Sequence, residues 1–140
     1  MDHHKLEEGN ELMLDFDKLN KVVASGERLV PVVTQDVKTG TVLILAYANK
    51  EALRVTLETK LATFWSSSRN ELWVKGLGSG NALKVEAVLV NCEQNSLLYR
   101  VRLEGEGACH TQDATGKARL SCYYREIKDD GSGLSLGKYS

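Results

Sequence analysis

The hydrophobic positions fall into short runs whose period changes along the chain. Residues 1–11 are polar without a period, which predicts a loose segment. Phe16, Leu19, Val22 and Val23 then recur at helical spacing, with Asp15 placed to cap a helix and Gly26 to stop it. Residues 29–35 and 41–47 read as strands about the turn Val37-Lys38-Thr39-Gly40, a hairpin candidate. Asn49 can cap a helix over 50–59, with Leu53, Val55, Thr56 and Leu57 on its apolar side.

Residues 62–66 read as extended, then come the polar turn Ser67-Ser68-Arg69-Asn70 and a short strand over 72–75. A glycine-rich loop over 76–81 follows. Residues 83–90 alternate as a strand does, 97–103 are apolar and extended, and the polar link 91–95 between them is a predicted hairpin turn carrying Cys92. Beyond Leu103 the chain reads as a loop with Gly105, Gly107 and Gly116, and the Gly/Ser-rich tail over 129–140 is predicted mobile. About two helices against six or more strands make the fold class α+β, a β-rich single domain over 1–140.

A length of 140 residues suits one compact domain. A net charge of −1 argues against a non-specific nucleic-acid binder, which needs a basic excess to release counterions. No apolar run approaches the length of a membrane span, and the polar start lacks a signal peptide's apolar core. A cytoplasmic location is therefore the expectation. An odd count of three cysteines is a poor disulfide framework there.

Those cysteines, Cys92, Cys109 and Cys122, are the candidate chemistry. Thiolates suit zinc, which keeps an open position when it is catalytic. If His110 is the fourth ligand the site is closed and structural. If it is not, water fills the position and His110 is free to move protons. Neighbouring side chains on extended backbone point opposite ways, which favours the second case for Cys109 and His110. On spacing alone, buried cysteines packed as small hydrophobes remain the competing reading. Trp65 and Trp73 read as core or interface anchors, one of them free to stack on a base. The glycine loop could offer N–H groups to a phosphate or simply turn the chain. Asn91, Glu93 and Asn95 alternate along one side as oxygen ligands of a hard cation would, or as a solvated turn would.

The segments taken together resemble the phosphoribosyl-AMP cyclohydrolase family of histidine biosynthesis. The likeness runs from about Leu29 to Glu126. It is carried by Gln35-Asp36 with Thr39-Gly40, by Phe64-Trp65-Ser66-Ser67-Ser68-Arg69 with Leu72-Trp73 and Lys75-Gly76, and by Ser79-Gly80-Asn81. Ala108-Cys109-His110-Thr111 and Ser121-Cys122-Tyr123 complete it. The resemblance implies hydrolysis of the N1–C6 bond of a ribosylated adenine nucleotide. It further implies zinc on Cys92, Cys109 and Cys122, shared across an intertwined homodimer. His110 then becomes the candidate general base or proton shuttle. Arg69, Lys75 and the loop residues Gly78, Ser79, Gly80 and Asn81 become candidates for holding phosphate or ribose.

The chain departs from the family pattern in three places. The family's magnesium turn carries three aspartates, where this chain has Asn91, Glu93 and Asn95. Losing two negative charges predicts weak or absent magnesium binding. Twelve residues separate Cys109 from Cys122, where the family has a markedly shorter gap. The added loop holds Asp113, a conceivable replacement ligand, and loop length is thermodynamically cheap. Finally, Leu77-Gly78 and Ser67 replace polar or charged family residues near the expected substrate. Beside the cyclohydrolase reading stand a hydrolase of another purine-like nucleotide and a non-catalytic zinc dimer.

Overall fold

A computed structural model describes residues 2–140. Three helices and eight strands are found among them: α1 (His3–Glu8), α2 (Lys18–Ala24), β1 (Val30–Asp36), β2 (Val42–Ala48), α3 (Lys50–Thr59), β3 (Thr63–Ser66), β4 (Glu71–Val74), β5 (Leu83–Val90), β6 (Leu97–Leu103), β7 (Arg125–Ile127) and β8 (Leu134–Leu136). The main sheet has the order β2-β1-β6-β5. Its pairs are antiparallel except β1 with β6, which run parallel. Strands β3–β4 and β7–β8 form two small antiparallel hairpins. Among the described residues, no helix is long and apolar enough to cross a membrane. The α+β expectation is met.

The β1–β2 hairpin forms where the pattern places it. Gly40 supplies the positive φ of 78° at the turn. Asp36 accepts bonds from the Lys38 N–H and the Thr39 hydroxyl, which ties the turn to the strand end. Helix α3 starts on the Asn49 cap, whose side-chain oxygen accepts from Ala52 N at 2.8 Å. It buries Ala52 and Thr56 rather than Leu57, which stays exposed. The buried Thr56 hydroxyl explains the difference. It donates to Ala52 O within the helix and accepts from Thr63 N at 3.0 Å, joining α3 to β3.

The core fills one face of the main sheet. Val32, Leu43, Val85, Tyr99 and Val101 pack there against Ala52, Ala62 and Phe64. Phe64 is the joint of the core, with its ring centroid 5.5 Å from Tyr99 and 5.6 Å from Trp73. Alternation turns the intervening residues outward. Leu45, Val33, Leu98 and Leu89 are paired in successive strands, so they form one apolar row across the opposite face. Leu45 and Leu89 on that row are exposed.

Three expectations need correction. Of the segment 1–11, expected to be loose, Met1 lies outside the described residues and the rest is ordered: α1 forms on the Asp2 cap and is pinned by Glu8 to Arg119. The tail is not without structure, because β8 pairs with β7 and Leu134 N donates to Asn10 O at 2.8 Å. Helix α2 begins later than expected, and Asp15 does not cap it. Its carboxylate instead accepts from Asp17 N and Lys21. Of the expected apolar stripe only Val22 is buried; Phe16, which lies before the helix, faces solvent with Leu19 and Val23.

Candidate active site

Cys109 and Cys122 meet although twelve residues separate them. The reason is local. Ala108 N donates to Leu120 O and Cys109 N to Arg119 O, each at 3.0 Å. Arg119 N returns a bond to Thr111 O, and Gln112 pairs with Ala118. The added residues therefore leave and re-enter the site as a pinched hairpin. Asp113 closes its tip by accepting from Thr115 N, the Thr115 hydroxyl and Lys117 N. Those bonds make it a turn-former and leave the replacement-ligand idea without support. Gly107 is needed at the pinch, where a Cβ would lie 2.3 Å from Arg119 O. Cys122 is tied to β2 by its own N–H, which donates to Leu43 O at 2.8 Å.

The two thiols are coupled. Sharing a hydrogen bond with Cys122 holds Cys109 well below the ordinary thiol range, with help from Thr111, whose hydroxyl lies 3.0 Å from Cys109 Sγ. The same sharing, with burial, pushes Cys122 up. Two neighbouring sulfurs, one buried and one half-buried, are a donor set suited to a soft cation.

A cavity of about 540 Å³ opens beside Cys109, while Cys122 lines a separate cavity with Leu6, Leu12 and Tyr123. Arg69, Trp73, Lys75, Gly78, Ser79, Asn81, Cys109 and His110 all line the first. The β3–β4 hairpin supplies the floor through Trp73, and the glycine loop supplies the rim. That loop depends on Gly76, whose φ is 74° and whose Cβ would meet the Asn81 carbonyl at 2.2 Å. Asn81 has a structural bond as well, accepting from Glu106 N at 3.2 Å. Lys75 is buried, and burial lowers its pKa while the two sulfurs oppose that shift. Arg69 shares its guanidinium with Glu71 at 3.5 Å. Gly80 and Trp65 do not line the cavity. Trp65 is half-buried, and its indole N–H has no partner among the described residues.

Cys92 lies elsewhere. It is exposed in the turn between β5 and β6. The other end of that hairpin pairs Leu83 with Leu103, beside the glycine loop. Strand β5 has eight residues, so its two ends are roughly 23 Å apart. Among the described residues, no three His, Cys, Asp or Glu side chains converge as a metal site requires. One chain thus assembles two of the predicted zinc ligands and holds the third at the far end of its sheet.

The turn around Cys92 is occupied by its own amides. Asn91 Nδ2 donates to Asn95 Oδ1 at 2.6 Å, and Asn91 Oδ1 accepts from Asn95 N and Ser96 N. Asn95 Nδ2 donates to Glu93 Oε2 at 3.3 Å. Asn91 Oδ1, Asn95 Oδ1 and one of the two Glu93 oxygens thus already accept N–H groups.

Sequence reasoning overlooked the contacts beneath the site. Arg119 is buried, forks onto Glu8 at 2.7 and 2.9 Å, donates to Thr111 Oγ1 at 3.1 Å and stacks on Tyr124. Thr111 is in turn the partner of Cys109. The Asp2 cap was the one local sign that α1 would form to supply Glu8.

A family model described as phosphoribosyl-AMP cyclohydrolase matches residues 44–124, more than half of the chain. Similar proteins bear that name too. One from Chloroherpeton thalassium is 45% identical over 108 residues, covering 77% of this chain and 72% of its own. One from Archaeoglobus fulgidus is 48% identical over 102 residues, 73% of this chain and 88% of its own. A third, from Desulfatibacillum aliphaticivorans, is 43% identical over 117 residues, 84% of this chain and 83% of its own. With a family match across the cavity wall and the cysteine segment, the chain belongs to the phosphoribosyl-AMP cyclohydrolase family.

Proposed function

We propose that this enzyme hydrolyses the N1–C6 bond of phosphoribosyl-AMP, in histidine biosynthesis, as a zinc-dependent homodimer. The observation that carries the reading is the cavity that gathers Arg69, Lys75, the glycine loop, His110 and Cys109, whose sulfur also shares a hydrogen bond with Cys122. Cys109 and Cys122 of one copy would hold the zinc together with Cys92 of a second copy. When bound, the metal supplies a Lewis acid that makes water easier to deprotonate.

The chain's own residues do the rest. Lys75 and Arg69 place positive charge where the substrate phosphates enter, and Trp73 offers an aromatic edge to the base. His110 takes a proton from the attacking water as its oxygen bonds to C6. The N1–C6 bond then breaks, and His110 returns the proton to N1. Burial of Cys109 and Lys75 keeps this corner of the cavity poor in competing water.

Two features support the dimer. Cys92 has no metal-binding company within its own chain. Leu45 and Leu89 of the apolar row, and Phe16, Leu19 and Val23 at and before α2, are exposed in one copy. At the Cys92 turn, the closed amide network supports a reaction independent of magnesium.

The deciding experiment is a direct assay of the zinc-loaded protein with phosphoribosyl-AMP, with and without magnesium. Turnover that a zinc chelator abolishes and magnesium leaves unchanged is the expected result. No turnover by zinc-loaded protein rejects the reading.

A further inference from the structure

His110 is exposed at the cavity, with 75% of its side chain open to solvent, so packing does not fix its ring. One contact does. His110 Nε2 pairs with Glu7 Oε2 of α1, a residue 103 positions earlier in the chain. No other hydrogen bond reaches this imidazole among the described residues. Helix α1 is itself anchored from three sides. Glu8 receives the Arg119 fork, the Tyr124 hydroxyl donates to Glu7 O at 2.8 Å, and Arg125 Nη1 donates to Gly9 O at 2.9 Å. All three anchors come from the segment that also carries Cys122. The carboxylate of Glu7 is therefore presented from a clamped backbone, unlike an ordinary surface ion pair, in which two mobile side chains meet.

We propose that Glu7 is the positioning residue of His110. The proposal rests on the reading of His110 as the proton carrier. A carboxylate can only accept, so the contact requires the hydrogen on Nε2 and leaves Nδ1 as the basic nitrogen of the neutral ring. Glu7 thus selects one tautomer and one ring orientation, the part played by the third member of a nucleophile–base–orienter set. Glu8, its neighbour, serves the same loop differently, bracing Thr111 and hence Cys109 through Arg119.

A double-mutant cycle in the zinc-loaded enzyme tests this. Glu7→Gln is expected to lower kcat about tenfold, with KM within about twofold, the scale of losing a partner that orients an active-site histidine. In a His110→Ala background the same substitution is expected to cost nothing further. An equal loss in both backgrounds overturns the proposal, because Glu7 would then act elsewhere. So does an undiminished kcat in Glu7→Gln where His110→Ala is impaired, or a fully active His110→Ala. A second readout needs no turnover: ¹⁵N-histidine NMR of the ring nitrogens. The His110 Nε2 signal is expected to move in Glu7→Gln, and identical His110 signals in both proteins overturn the contact. Should the parent enzyme fail to turn over phosphoribosyl-AMP, the proposed function falls, and the NMR comparison still decides the role of Glu7.

Discussion

The two ends of the main sheet carry the same chemical element in opposite settings. At one end Cys109 is buried, coupled to Cys122, and braced through Thr111, Arg119 and Glu8. At the other end Cys92 is exposed, in a turn whose amides bond to one another, to Glu93 and to nearby backbone. On the zinc reading proposed above, the first end would be a braced half-site short of one ligand, and the second would be the ligand that completes it. The fold would then divide the work, with one end setting geometry and charge while the other need only reach a second copy and stay reduced.

The largest expected effect comes from removing a sulfur at the built end. Cys109→Ser should lower kcat/KM by more than the 10–100-fold typical of losing an outer partner of a metal ligand, and zinc content should fall with it. Mixing inactive Cys92→Ser and Cys109→Ser chains under exchange conditions should then restore activity. Each mixed dimer regains one intact site, so random exchange gives roughly a quarter of the parent rate. Full loss without rescue would mean that the two ends never meet across copies.

Stability should show the same contrast. Arg119→Ala strips a buried guanidinium from Glu8, Thr111 and Ser140 and should cost about 3 kcal/mol in chemical denaturation. Asn91→Ala opens an exposed turn and should cost only about 1 kcal/mol. If the two costs are similar, the built end is no better braced than the turn. The smallest effect is on pH dependence. The Arg119 hydrogen bond holds the Glu8 carboxyl below its usual range. Its contribution is thus present above the unfolded pKa of Glu8 and disappears as pH falls through the lower folded value. Glu8→Gln should flatten the acid limb of the stability profile relative to the parent.

Much of the site could be read from sequence because its parts are local. The Asn49 cap, the Gly40 turn and the alternation in β5 each depend on neighbours a few residues away, and each falls where the pattern places it. Arg69, Lys75 and Ser79 line the expected cavity because the glycine loop follows β4 directly. What escaped was long-range. Periodicity identifies α2 as amphipathic without saying that Phe16 and Leu19 would find no cover in their own chain. Helix α1 has no apolar face to detect, and it is anchored by residues more than a hundred positions away. The spacing of Cys109 and Cys122 misleads for a related reason, since a hairpin pinched by Gly107 hides its length from the site.

The parallel seam between β1 and β6 has a consequence for how the protein folds. Hairpins β1–β2 and β5–β6 each join neighbours in sequence and can form in microseconds. The seam joins Val32 to Leu97, roughly 65 residues apart, so its loop must close before any pairing repays the lost entropy. Cys122 hangs on β2 and Cys109 follows β6, which puts the thiols on opposite sides of that seam. Sulfur pairing is therefore a late event in folding. A chain arrested on the ribosome before β6 emerges would hold half a sheet and no thiol pair, with the apolar edge of β1 open to other nascent chains.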